Sequence, residues 1–247
     1  MKTNEIIHGN AYTLIKDLPA GSIDLIYTDI PYEFEAGDNS TSEGLQTRLA
    51  NRKAELNAIR MGIDYSILDE FHRVLKKLNL FIWCSKKQVP EIMNLVLGKR
   101  PDAYFEILVW TKNNPTPTTN QTWLPDIEYC LYFREKGVNL NSGYEIKSKW
   151  YNSSINKDDK DNYGHPTIKP LDLVARHIKH TSNPGDIVLD PFSGSGTTAV
   201  AAAETGRKFI AYELSKDYYD KSVMRLQGIN QNGQTSLFAP IELIQGE

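Results

Sequence analysis

Ile187-Val188-Leu189-Asp190-Pro191-Phe192-Ser193-Gly194-Ser195-Gly196-Thr197-Thr198-Ala199 is the stretch that decides the fold. A short apolar run ends on an acid, and a turn with two glycines opens an alanine-rich helix that stops near Gly206. Residues 208–213 then read as a strand that closes on Glu213. Strand, glycine turn, helix, strand, acid is half of a nucleotide-binding α/β unit. Gly194 and Gly196 let backbone approach a ligand closely, and free N–H groups at the helix start can meet an anionic group. Gly194 to Ala199 also fits the dinucleotide fingerprint, and Glu213 falls near the spacing of its ribose-binding acid. A nicotinamide or flavin oxidoreductase is therefore one reading. Asp190 argues against it, because an acid there repels pyrophosphate and suits a cationic amino group.

Working outward, a second strand exit has chemistry of its own. Ser22-Ile23-Asp24-Leu25-Ile26-Tyr27 reads as a buried parallel strand, and Thr28-Asp29-Ile30-Pro31-Tyr32 follows where it ends. Ligands of open α/β sheets bind outside the carboxyl ends of strands. Asp29 can accept from an amino group, Pro31 stiffens the turn, and Tyr32 offers a flat face. The trio suits a planar heterocycle with an exocyclic amine. A plain strand-to-turn exit with a capping Asp fits the pentapeptide as well.

The rest of the chain alternates strand and helix. Strands are expected at residues 5–8, 80–84, 105–110 and 127–134, and helices at 12–18, 64–77, 89–97, from the 165–170 segment to about 181, and 218–227. Gly98 is expected to end its helix. This order predicts a doubly wound, mostly parallel sheet in a single domain spanning residues 1–247. Two segments break the pattern. Residues 33–62 hold a polar acidic loop and a helix-like run with Arg48, Arg52 and Lys53, read either as a solvated face or as a phosphate contact. Residues 135–164 interleave Lys147, Lys149 and Tyr151 with polar residues, fitting either a nucleic-acid surface or a long loop.

Composition sets bounds. The 247 residues are 40% hydrophobic and 24% charged, with net charge −3, so nucleic-acid contact would need local basic patches. Cys84 and Cys130 read as buried thiols of a reducing compartment, remote in sequence from both motifs. No metal-ligand spacing is present. The N-terminal residues lack the apolar stretch of a signal peptide, and no apolar run reaches membrane-span length, so a cytoplasmic protein without membrane contact is expected.

With these motifs in place, the chain resembles the beta-group amino-methyltransferases of DNA. Asp29-Ile30-Pro31-Tyr32 resembles their D-P-P-Y motif, and Asp190 to Thr198 their D-P-F-x-G-S-G-T-T motif. His165 to Pro170 resembles H-P-T-x-K-P, and residues 109–115 the W-x-K-x-N-P strand exit. The resemblance implies a Rossmann-like seven-stranded sheet, circularly permuted so that the catalytic half comes first. It implies S-adenosyl-L-methionine (AdoMet) as methyl donor and an adenine N6 in double-stranded DNA as acceptor, with cytosine N4 or a catalytically weak DNA-binding relative as alternatives. Asp29, Ile30, Pro31 and Tyr32 would be catalytic. AdoMet would meet Asp29, Asp190, Phe192, Ser193, Gly194, Ser195, Gly196, Thr197 and Thr198, with Glu213 and Leu214 at its ribose and Asn10 and Ala11 near its adenine. Thr167 and Lys169 would close the methionine end. A homodimer and a cognate restriction endonuclease are partners that the group suggests. One departure stands out: Ile30 replaces the first proline of the motif, which removes backbone rigidity and carries an expectation of lower activity.

Overall fold

A computed structural model describes residues 1–32, 62–115, 123–138, 140–141, 143, 147–155 and 168–228. Among them eight strands form one sheet: β1 Glu5–His8, β2 Leu25–Asp29, β3 Asn79–Cys84, β4 Tyr104–Lys112, β5 Ile127–Arg134, β6 Trp150–Ser153, β7 Ile187–Asp190 and β8 Lys208–Glu213. Their order is β1-β8-β7-β2-β3-β5-β4-β6. All but β5 run the same way, as the strand-helix alternation predicts. The expected architecture is present, with β6 added at one edge. That strand comes from the segment read as loop. Its four polar and aromatic residues have no apolar alternation, and pairing along β4 makes it a strand.

Side chains alternate across the sheet with the period of a strand. On β2 and β3, Ile26, Leu80 and Ile82 face one layer, packed with Ile15, Phe71 and Val74. Leu25, Tyr27, Phe81 and Trp83 face the other, packed with Leu173, Ile178 and Val200. The first layer holds α1 Ala11–Leu14, α2 Ile67–Val74 and α3 Val89–Lys99. The second holds α4 Leu171–Thr181, α5 Thr197–Glu204 and α6 Lys216–Leu226. Gly98 lies inside α3 and does not end it, because its backbone keeps an ordinary negative φ. The alanines of α5 are buried, and their small size lets the helix lie close to the sheet.

One polar group is set into the second layer. His177 of α4 is 8% exposed and stacks on Phe81 at 5.1 Å. Trp83 donates its indole N–H to the Tyr27 hydroxyl (2.9 Å), which meets His177 Nδ1 at 3.1 Å. Burial pulls the imidazole pKa down to about 3. Below its ordinary value of 6.5, the unfolded chain therefore binds a proton that the folded chain refuses. Stability held above that value is lost progressively as pH falls through this window. The advantage of the native protein over a His177→Gln variant, which keeps an acceptor for Tyr27, should shrink by about 2 kcal/mol between pH 6.5 and 5. Urea midpoints of both proteins at the two pH values check this; a constant gap would show that the buried ring is protonated in the fold.

Candidate functional site

Because β1, β8, β7, β2 and β3 are parallel, His8, Glu213, Asp190, Asp29 and Cys84 all end strands on one edge of the sheet. From β7 the chain goes on to β8 on one side, and from β2 to β3 on the other. The two directions part between β2 and β7, where a doubly wound sheet opens its ligand crevice. Both sequence motifs leave the sheet there. Thr28 ties them together, donating its hydroxyl to Asp190 Oδ1 at 2.8 Å.

The turn after β2 is held from three sides. The Ile30 N–H extends the strand ladder to the Trp83 carbonyl (3.2 Å), and the Ile30 side chain is buried in the first core layer. Gln88, fully buried, donates to the Pro31 carbonyl (2.9 Å) and accepts from the Ser85 N–H (3.0 Å). A proline at position 30 could not make the first bond. The isoleucine thus replaces the rigidity of a ring with an N–H anchor and a core contact.

Around Asp29 lies a charged cluster. Lys169, 5% exposed, bonds Asp29 Oδ2, Glu128 Oε2 (2.8 Å) and the Tyr32 hydroxyl (3.3 Å). Its ammonium lies 5.1 Å from the Trp83 ring centre and 5.6 Å from that of Tyr32. Lys112 meets Glu128 Oε1 at 2.5 Å. Burial pushes the Asp29 carboxyl up, and Lys169 only partly offsets it. Burial would push Glu128 up too, but Lys169 and Lys112 prevail and hold it at about 2. Lys169 would be lowered by burial, but the two carboxylates hold it above its ordinary value. Asp29 Oδ1 is buried and has no hydrogen-bond partner among the described residues, so one strong acceptor is unfilled.

The glycine turn after β7 forms the other half. Gly196 has φ +79°, and a Cβ there would come within 2.9 Å of Ser222 Cβ, so only glycine fits. Glu213 accepts from the N–H groups of Gly194 (2.7 Å) and Ser215 (2.8 Å). Arg225 braces the turn from behind at Thr197 Oγ1 (2.8 Å) and reaches Ser195. Asp190, 4% exposed, also accepts from the Phe192 N–H (3.2 Å), and burial pushes its carboxyl up to about 7. Thr198 is buried at the start of α5, and Ser193 Oγ is buried with no partner among the described residues. Asn10 caps α1 through Tyr12, beside buried Ala11, and Leu214 is exposed just after β8.

Lys169, expected to help close the methionine end of the cofactor, is bonded to Asp29. Tyr151 packs partly buried against the second core layer, Lys149 is exposed and pairs with Glu106 at 2.5 Å, and Lys147 is exposed. Arg48, Arg52, Lys53 and Thr167 lie outside the described residues. Cys84 is remote from the motifs along the chain but adjoins Trp83, the β-partner of Asp29. Burial pushes its thiol up to about 12 and that of Cys130 well above the ordinary range, so neither is a ready nucleophile. Glu128 and Gln88 escaped sequence reasoning, and Lys112 is singled out there only as the lysine of the W-x-K-x-N-P strand exit. Glu128 opens β5, the one strand reversed, and only that reversal brings its start to the site edge.

Comparison with known proteins follows the same lines. The model of the N6/N4 DNA methylase family matches residues 23–224. Type II methyltransferase M2.DpnII of Streptococcus pneumoniae is 29% identical over 250 residues, covering 92% of this chain and 90% of the relative. M2.LlaDCHI of Lactococcus lactis subsp. cremoris is 28% identical over 247 residues, covering 90% and 88%. The solved M1.HpyAVI–SAM complex has a TM-score of 0.65 at 25% identity, over 90% of this chain and 98% of that one. The cytosine-N4-specific PvuII DNA methyltransferase shares the fold, with a TM-score of 0.66 at 18% identity over 91% and 86%.

Gln88→Leu removes the donor at Pro31 and the acceptor at Ser85 together. It should lower the unfolding free energy by about 2 kcal/mol and speed amide exchange at Tyr32. Urea unfolding and hydrogen-exchange mass spectrometry check this. Unchanged exchange at Tyr32 would show that the turn is held without Gln88.

Proposed function

The chain belongs to the N6/N4 family of DNA methylases, and from that premise we propose that it moves the methyl group of S-adenosyl-L-methionine to the N6 amino group of an adenine turned out of double-stranded DNA. The observation that carries the reading is the unfilled Asp29 acceptor, set beside Tyr32 at the crevice shared with the glycine turn. The site fits the cofactor. Asp190 suits a cationic amino group, the unpartnered Ser193 hydroxyl offers a hydrogen bond, and Glu213 at the end of β8 is an acceptor of the kind that ribose hydroxyls need. When bound, the cofactor supplies an electrophilic methyl group on a sulfonium.

What the protein contributes is position and charge. Turning the base out costs a few kcal/mol of stacking and pairing, and Tyr32 returns a stacking surface. Asp29 and the Ile30 carbonyl accept the amino hydrogens, which aims the nitrogen lone pair along the line of attack. As positive charge grows on that nitrogen, the Asp29 carboxylate stabilises it. A carboxylate at the head of the motif favours adenine, since the cytosine-N4 enzymes of the group more often begin it with Ser. The reading extends to a restriction–modification setting with a cognate endonuclease, to action in the cytoplasm, and to a homodimer.

Incubating the protein with labelled AdoMet and unmethylated bacterial DNA, then analysing nucleosides, should yield N6-methyladenine. Asp29→Ala should lower transfer by about 10³-fold or more while AdoMet affinity stays within a few-fold. N4-methylcytosine as product would overturn the base assignment, and transfer retained in the variant would overturn the role of Asp29.

A further inference from the structure

The catalytic carboxylate does not stand alone, and its neighbour poses an electrostatic problem. Lys169 is 5% exposed and bonded to Asp29 Oδ2. Methyl transfer, on the function proposed above, builds positive charge on a nitrogen held by that same carboxylate. An uncompensated ammonium on its other oxygen would oppose that charge across a few ångströms of poorly solvated protein, where Coulomb terms are large. The second carboxylate on Lys169 answers this. Glu128 Oε2 lies 2.8 Å from the ammonium and 3.4 Å from the Tyr32 hydroxyl, which donates to it. Glu128 comes from β5, outside both sequence motifs, and Lys112 holds its other oxygen at 2.5 Å.

We propose that Glu128 is a positioning residue for methyl transfer: by pairing with Lys169 it lets the ammonium orient Asp29 while cancelling the charge that would otherwise blunt it. Asp29 thereby keeps a fixed rotamer and an effective negative charge. Lys169 acts as a bridge between two acids, and its positive charge is shared.

The titratable groups facing Asp29 are Lys169, Glu128 and Tyr32, with Asp190 at the end of β7, Tyr27 within β2, and the thiols Cys84 and Cys130. Of the charged ones, Lys169 lowers the Asp29 pKa and Glu128 raises it. Removing the Glu128 charge should move Asp29 down, and removing the Lys169 charge should move it up. Simple damage to the fold would not give opposite signs.

Glu128→Gln should lower kcat by about 10–100-fold with little change in KM for DNA, while the acid limb of the kcat profile moves to lower pH. Glu128→Asp should recover part of kcat. Lys169→Met should move the acid limb to higher pH. In DNA-free protein, carbon-13 NMR titration of the Asp29 carboxyl should show the same two opposite shifts. An Asp29 titration unmoved by Glu128→Gln, shifts of the same sign in both variants, or a kcat unchanged despite the shift would each overturn the proposal. If the wild type methylates no DNA, the proposed function fails, and the Asp29 titration still decides by itself whether Glu128 governs that carboxyl through Lys169.

Discussion

The molecule depends on the parallel pairing of β2 with β7, two strands more than 150 residues apart in the chain. Ile26 lies beside Leu189, and the pairing is stitched at both ends by side chains. At the start, Asp24 accepts from the Ile187 N–H (2.9 Å) while Lys76 meets its other oxygen at 2.8 Å. Buried Asn79 links the Asp24 carbonyl (3.0 Å) to that of Thr181 (2.9 Å), tying β2 and β3 to α4. At the far end, Thr28 donates to Asp190. Separate these strands and the turn after β2 parts from the glycine turn after β7. The crevice exists only because the sheet changes direction at this pair.

What lies in the crevice is costly to keep. A buried lysine and two carboxylates lose hydration that their mutual attraction restores only when the geometry is good. Lys169 reaches three oxygens, yet Asp29 retains an unfilled buried acceptor and a raised pKa. Such an arrangement is poor economy for stability. It makes sense for a site that waits for a donor to complete it. Beneath it, Trp83 is hydrogen-bonded through Tyr27 to neutral His177, so the unfilled acceptor rests on a polar chain whose own bonds are made.

Much of this was legible from residues alone. The strands at 127–134, 187–190 and 208–213 carry their own apolar runs, and structure and sequence agree on their limits. The acids at the ends of β2, β7 and β8 follow from the same pattern. What the sequence did not show is whatever depends on strand direction. Glu128 looks like an ordinary polar start to an apolar run until β5 is seen reversed between β3 and β4. Lys169 sits in a motif next to the cofactor half, so its attachment to Asp29 cannot be read from its neighbours. Strand β6 is invisible to alternation because it is a half-exposed edge, and Tyr151 faces inward only because that edge forms.

The isoleucine at position 30 shows how a departure from a motif is judged once the contacts are known. From the sequence, losing a proline means losing a fixed φ. In the structure, that restraint is supplied by parts a proline would lack or displace: an N–H bonded to Trp83 and a side chain packed in the core. Gln88 then fixes the next residue from the other side. Rigidity at this turn belongs to the three contacts together. Under the proposed function position 30 would supply a main-chain carbonyl, and the contacts of Ile30 hold that residue in place where a proline would rely on its ring.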